Sequence, residues 1–168
     1  VTLVNASVSV EPPMFVDVVN VTSAADMADV VKSKAAEQDI IIMTAAVADF
    51  CPSHPADEKI KKNDSSYESV IEHERTEDIL SYLGAHKAKG QLICGFSMET
   101  QNMLENSKAK LAKKNADMIV ANNLKVAGAG FGTDTNVVTL ITADDCTELE
   151  IMDKSCVAAR IMDRLLKM

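Results

Sequence analysis

One stretch constrains the fold more than any other. Residues 39 to 45 read Asp-Ile-Ile-Ile-Met-Thr-Ala, a continuous apolar run of strand length. A strand with one wet face alternates apolar and polar residues, whereas an unbroken run belongs to a strand covered on both faces, as in a parallel sheet between helices. The preceding residues agree. Val16 to Val21 is rich in β-branched residues and reads as a strand. Ser23, with Asp26 three residues on, makes a variant helix N-cap box, and Ala25, Ala28, Val31 and Ala35 then share a helical face to about Glu37. Val1 to Val4 is a further short strand, and Pro12 and Pro13 keep the intervening segment in a loop.

The alternation continues. From Val47 to Ser66 the periodicity vanishes, giving a long polar loop of the kind usually given over to function. Tyr67 to His73 alternates as a half-exposed strand, and Thr76 can cap a helix to about His86. Gln91 to Phe96 is strand, Asn102 to Asn115 helix, and Asp117 to Ala121 strand. Gly128, Gly130 and Gly132 mark a loop. Asn136 to Thr142 and Glu148 to Met152 flank residues 143–146 as a hairpin. Asp153 or Ser155 caps a last helix striped by Val157, Ile161 and Leu165. This pattern predicts an α/β fold: an α/β/α sandwich on a mostly parallel sheet, with an antiparallel hairpin near the C-terminus. Without a repeat or a dividing linker, the 168 residues are expected to form one domain. In such sheets ligands bind beyond the C-terminal ends of strands, here after Ala45, Phe96 and Ala121.

Charge narrows the function. Seventeen Lys and Arg against 25 Asp and Glu give a formal charge of -8, the wrong sign for a general binder of nucleic acid or anionic membrane. No apolar run approaches the ~20 residues that cross a bilayer, and no leader pattern precedes the first strand. Cys51, Cys94, Cys146 and Cys156 lie far apart without a C-x-x-C, which reads as reduced thiols in a cytoplasmic protein. His54, His73 and His86 lack ligand spacing, so no metal site is expected from side-chain spacing, and no nucleophilic triad is readable.

The positive charges are nevertheless concentrated. Lys59, Lys61 and Lys62 form one group, and Lys108, Lys110, Lys113 and Lys114 another. Lys110 and Lys114, four apart on a helix, project from one face. In an acidic protein two such groups suit a confined polyanion such as a polyphosphate; taken alone they read more readily as solvated helix and loop lysines, some paired with Glu99 or Glu105. Residues 44–49, Thr-Ala-Ala-Val-Ala-Asp, follow the apolar strand. Their small side chains admit a ligand to the backbone and Asp49 can accept from a base or sugar, or they are plain packing surface. Phe96 can stack on a base or fill the core, and Glu99 can bond a sugar or a metal. The glycines at 128–132 lie between strands, so they do not make a dinucleotide fingerprint before a helix.

Six motifs occur in order: Ala45-Ala-Val-Ala-Asp-Phe50, Lys59-Ile-Lys-Lys62, Gly95-Phe-Ser-Met-Glu-Thr100, Lys110-x-x-x-Lys114-Asn115, Ala121-Asn122 and Gly130-Phe-Gly-Thr-Asp-Thr-Asn136. In this order they resemble bacterial phosphopantothenoylcysteine synthetase, the synthetase half of the bifunctional flavoprotein of coenzyme A biosynthesis. The opening residues 1–13 resemble that family's second strand and loop, so the resemblance covers essentially the whole chain. It implies a three-layer Rossmann-like sandwich and a CTP-dependent ligase. Phosphopantothenate and L-cysteine are joined through an acyl-cytidylate, releasing pyrophosphate and CMP.

By the same resemblance Met43, Thr44, Ala45 and Asp49 contact the nucleotide. Glu77, Asp78, Ile79, Leu80 and Phe96 line its pocket, Lys110 and Lys114 hold the triphosphate, and Lys59 closes over the intermediate. Asn122 and the loop around Phe131 lie nearby, Asn122 being carried as a catalytic candidate beside Lys59. Mg²⁺ accompanies the CTP, and no flavin is expected in this domain. A homodimer is implied, and an upstream flavin-dependent phosphopantothenoylcysteine decarboxylase is a possible fusion partner. Glu77 departs from the proline usual in the family. The family's first strand and Gly-rich turn would precede Val1, so the resemblance implies a domain lacking that segment and inactive by itself. Two rivals stand beside this reading: a non-catalytic nucleotide-binding or dimerisation module, and a domain binding NAD or flavin.

Overall fold

The computed structural model describes residues 1–6, 8, 10–56, 58, 71–99, 102–123 and 132–168. The elements begin with β1 (Thr2–Ala6), β2 (Asp17–Val21), α1 (Ala24–Ala35), β3 (Ile40–Met43), β4 (Phe50–Pro52) and β5 (His73–Arg75). Next come α2 (Ile79–Ala85), β6 (Leu92–Glu99), α3 (Met103–Lys113) and β7 (Met118–Asn123). The chain ends with β8 (Thr135–Asn136), β9 (Val138–Ile141), β10 (Cys146–Glu148), β11 (Met152–Asp153) and α4 (Lys154–Leu165). Contacts group these into two compact units, Val1–Val30 with Ala46–Asp78, and Val31–Ala45 with Ile79–Met168.

In the first unit β1 and β2 pair in parallel, Thr2 opposite Asp17 through Ala6 opposite Val21. The Asn5 amide donates to the Asn20 side chain at 3.1 Å. The expected cap box closes at the start of α1: Ser23 N–H donates to Asp26 at 2.9 Å, and Asp26 N–H to the Ser23 hydroxyl at 3.1 Å. Two backbone donors that a helix start leaves orphaned are thereby satisfied. The Thr22 hydroxyl also donates to Asp26, and these bonds, Thr22's first, hold the Asp26 carboxyl below its ordinary pKa.

The expected uninterrupted loop from Val47 is corrected by β4, which pairs antiparallel with β5. Three residues ending in a proline carry no periodicity, and the partner strand lies about twenty residues on. Thr76 does not cap α2. Its N–H donates to Asp49 O and its hydroxyl to Ala48 O, which extends the β4–β5 ladder, and α2 starts only at Ile79. Most of the strand expected at 67–73 falls outside the described residues.

The second unit carries a five-stranded sheet of order β10-β9-β7-β6-β3. β3, β6 and β7 are parallel, and β9 and β10 add antiparallel. Side-chain alternation sorts the two faces. Cys94, Met118, Val120, Val138 and Leu140 meet Val157, Ile161 and Leu165 of α4. Gly95, on the opposite face, meets Leu80 of α2, and α3 packs on β6 and β7. Helices thus cover both faces of this sheet, giving the expected three layers. Gln91 closes the C-terminal end of α1 by donating to Ala35 O and Gln38 O at 2.7 and 2.6 Å, Ala35 O also accepting from the Gln38 N–H.

The C-terminal hairpin exists with shifted bounds: Cys146 sits opposite Ile141, and Thr142 with Asp145 forms the turn. The strand expected from Asn136 is split. Asn136 accepts the Val137 N–H on its own side chain at 2.9 Å, which removes that donor from the ladder and separates β8 from β9. β8 instead pairs with β11. Asp153 is the N-cap residue of α4 but makes no side-chain capping bond. Gly128 to Phe131 lie outside the described residues; Gly132 has a φ of 72°.

Candidate functional site

The second unit gathers part of the expected constellation at the C-terminal end of β3 and the middle of β6. Met43, half-buried, ends β3 opposite Gly95 of β6. Thr44 and Ala45 follow it, exposed. A Cβ at residue 95 would lie 2.6 Å from Leu80 Cδ2, so the glycine lets α2 press closely on the strand with Leu80 in its present rotamer. That contact places Ile79, buried, and Leu80, half-buried, beside the Met43–Gly95 pair.

Each of the two lysines reaches a neighbouring element. Lys110 Nζ donates to the Phe96 carbonyl at 2.8 Å, and Lys114 Nζ to the Ser81 hydroxyl, one residue past Leu80, at 3.0 Å. Both stems lie half-buried along the sheet-facing side of α3, an arrangement that keeps the charge at the rim while the methylenes cover apolar surface. Phe96 contributes its carbonyl here rather than its ring, which alternates to the other face and packs against the α4 core.

At the end of β6 the Glu99 carboxylate accepts from the Ser97 hydroxyl at 3.3 Å and from the Asn106 amide at 3.1 Å. Asn106 stands one helical turn before Lys110 on α3. Glu99 therefore acts as an acceptor for side chains of its own strand and of α3. Asn122, half-buried on β7, accepts from the Asn136 amide at 3.1 Å. Its register partner is Met98, so by alternation it shares the face of Phe96 rather than that of Lys114.

The remaining candidates belong to the first unit or fall outside the described residues. Asp49 is exposed in the first unit, its carbonyl accepting from Thr76 N–H at 3.1 Å. Glu77 and Asp78 are exposed at that unit's last residues. Lys59 falls outside the described residues. Among the described residues no group of three or more His, Cys, Asp or Glu side chains is arranged to hold a metal ion. No helix of the described residues is long and apolar enough to cross a membrane. Burial, with the Asp117 charge adding, pushes the Cys94 thiol up to about 12, so Cys94 is no nucleophile near neutral pH.

Sequence reasoning missed Ser81 and Gly84. Ser81 and Gly84 matter only because α2 lies against the end of α3, which no local pattern encodes. Asn115 did carry a signal, an asparagine just past a helix, where a left-handed residue commonly ends it.

Residues 1–168 match the family model described as DFP, DNA/pantothenate metabolism flavoprotein C-terminal domain. The chain is 44% identical over 167 residues to the coenzyme A biosynthesis bifunctional protein CoaBC of Bacillus subtilis, covering 98% of this chain and 40% of that protein. It is also 44% identical over 168 residues to a cysteine/cysteine sulfinic acid decarboxylase from an unknown prokaryotic organism, covering 99% of this chain and 46% of the relative. The chain thus spans less than half the length of these curated relatives. Among solved structures it is similar to the C-terminal domain of a CoaBC protein, with a TM-score of 0.80, 40% identity, and coverage of 99% of this chain and 75% of that one.

Proposed function

Because the chain belongs to the family of DNA/pantothenate metabolism flavoprotein C-terminal domains, we propose that it is the nucleotide-handling part of a ligase of coenzyme A biosynthesis. The substrates are 4'-phosphopantothenate, L-cysteine and CTP. The observation that carries this reading is the ending of two lysine side chains, Lys110 on the Phe96 carbonyl of β6 and Lys114 on the Ser81 hydroxyl of α2, Phe96 following the Gly95 that pairs with the last residue of β3. Strand ends of open α/β sheets are where such ligands bind, and a triphosphate needs compact positive charge there.

The phosphopantothenate carboxylate attacks the α-phosphorus of CTP and pyrophosphate leaves. The cysteine amine then attacks the acyl carbon of the cytidylate, loses its proton, and CMP leaves. Neither step demands a strong general base. Both need charge neutralisation and alignment, which Lys110 and Lys114 supply to the phosphates. Met43, Thr44, Ala45, Ile79, Leu80 and the Phe96 main chain form the rim around the nucleotide. Asp49, Glu77, Asp78, Asn122 and Lys59 enter on the strength of the family motif, with Lys59 over the acyl-cytidylate. Mg²⁺ supplies further charge neutralisation when bound. It is commonly held by substrate phosphates and water with only one or two carboxylates, so it travels with the CTP. The family reading adds a homodimer, an accompanying flavin-dependent decarboxylase and a cytoplasmic location.

Calorimetric titration of the chain with CTP and ATP tests the reading. CTP is expected to bind more tightly than ATP, and Lys114→Ala to weaken CTP by about tenfold at low salt, a loss that shrinks as salt screens the charge. No heat with CTP, or an unaltered Kd in both Lys110→Ala and Lys114→Ala, overturns it.

A further inference from the structure

We propose that Asn136 is a positioning residue that turns the Asn122 amide so that its NH2 end faces the nucleotide, an inference that rests on the nucleotide reading above. The backbone sets the polarity of the whole chain of bonds. A main-chain N–H can only donate, so the atom of Asn136 that meets the Val137 N–H at 2.9 Å is its oxygen. The other end of that amide is then the NH2 group, and the atom it meets on Asn122 at 3.1 Å is an oxygen. Asn122 thus commits its oxygen to Asn136 and directs its two donors away from it. Asn136 is itself held in place. It is buried, it stands opposite Met152 in the β8–β11 ladder, and two residues earlier Asp134 O accepts from the Lys154 N–H at 2.9 Å. Asn122 lies between Val138 of β9 and Met98 of β6. Met98 is two residues along from the Phe96 whose carbonyl takes Lys110, toward the carboxyl ends of the parallel strands where a ligand is expected. An amide whose oxygen is occupied offers donors alone, so it suits an oxygen that only accepts, a phosphoryl oxygen or the carbonyl of cytosine. Holding it that way before the ligand arrives removes the cost of ordering it on binding.

Side-chain amide NMR of the whole chain, beside calorimetry with CTP, cytidine and inorganic tripolyphosphate, tests the assignment. In the wild type the Asn136 NH2 protons are expected to exchange slowly with water, and those of Asn122 to exchange fast and to shift when CTP is added. Asn136→Asp keeps an acceptor for the Val137 N–H but offers Asn122 acceptors only, so the Asn122 amide turns over. Its protons then become protected and cease to respond to CTP, and CTP binding weakens about tenfold, the size expected for losing one hydrogen bond to the ligand. Asn122→Asp keeps the bond from the Asn136 amide and deletes the outward donors; it is expected to weaken CTP at least as much while the Asn136 signals stay in place. A matching loss with tripolyphosphate puts the accepting oxygen on the phosphates, and a loss confined to CTP and cytidine puts it on the nucleoside; either supports the proposal. Asn122 protons that are protected in the wild type, or unshifted at saturating CTP, overturn it and spare the nucleotide reading. An Asn122 amide oriented as described, in a chain that binds neither CTP nor tripolyphosphate, overturns the nucleotide reading and, with it, the purpose assigned to Asn136.

Discussion

Gly84→Ala sets two principles against each other within one helix. Inside an exposed helix, alanine is favoured over glycine by ~1 kcal/mol, so propensity alone predicts a more stable protein. The structure predicts the reverse. The new Cβ would lie 1.8 Å from the Lys114 carbonyl oxygen and 2.8 Å from its carbon, and backbone atoms cannot rotate away as a side-chain tip can. Relief requires α2 and the end of α3 to part by about an ångström, which also lengthens the 2.7 Å bond from Asn115 to Gly84 O. Overpacking of this kind costs about 1–3 kcal/mol and the strained hydrogen bond about 1 more. After the propensity gain the net loss is about 2 kcal/mol, or a fall of roughly 4–8 °C in Tm for a chain of this size. Gly95→Ala is the comparison, because its Cβ meets the Leu80 side chain at 2.6 Å, a neighbour that can change rotamer, so the loss is smaller. Thermal unfolding followed by circular dichroism decides the matter. A Gly84→Ala protein as stable as wild type, or more so, refutes the close helix approach.

Ser107 is fully buried and its hydroxyl has no hydrogen-bond partner among the described residues, so Ser107→Ala should stabilise by about 1 kcal/mol; a lowered urea midpoint would count against this. Asp26 has a folded pKa below its unfolded one, so its contribution is fully present above about pH 4 and drains as pH falls through the folded value. Tm measured from pH 6 to 2 should accordingly fall less steeply for Asp26→Asn than for wild type, and parallel curves would remove the cap box from the acid response. The Cys94 thiol, raised by burial, should resist an aromatic disulfide reagent at pH 8 in the native protein while exposed Cys146 and Cys156 react. Fast labelling of Cys94 would contradict its burial.

The local elements were legible because their signals are local. The apolar run before Met43, the reciprocal bonding of Ser23 and Asp26, and the Val157, Ile161, Leu165 stripe each follow from a period or a spacing within one segment, so the strands, helices and three-layer arrangement were readable from the residues themselves. The pairing of Lys110 with Lys114 was equally readable, since residues four apart share a helix face. What only the tertiary structure decided were the contacts across segments. The β4–β5 pairing joins Phe50 to Arg75 and Pro52 to His73, far outside any local window. The break at Val137 depends on a side chain that takes a ladder donor, and the placing of the Phe96 ring on the α4 face depends on strand register. The partners of the two lysines, the Phe96 carbonyl on β6 and a hydroxyl on α2, depend on how α3 lies on its neighbours, and α2 meets the end of α3 as closely as it does because residue 84 is glycine. Such approach distances are set by the packing of whole elements, which hydrophobic pattern and propensity do not encode.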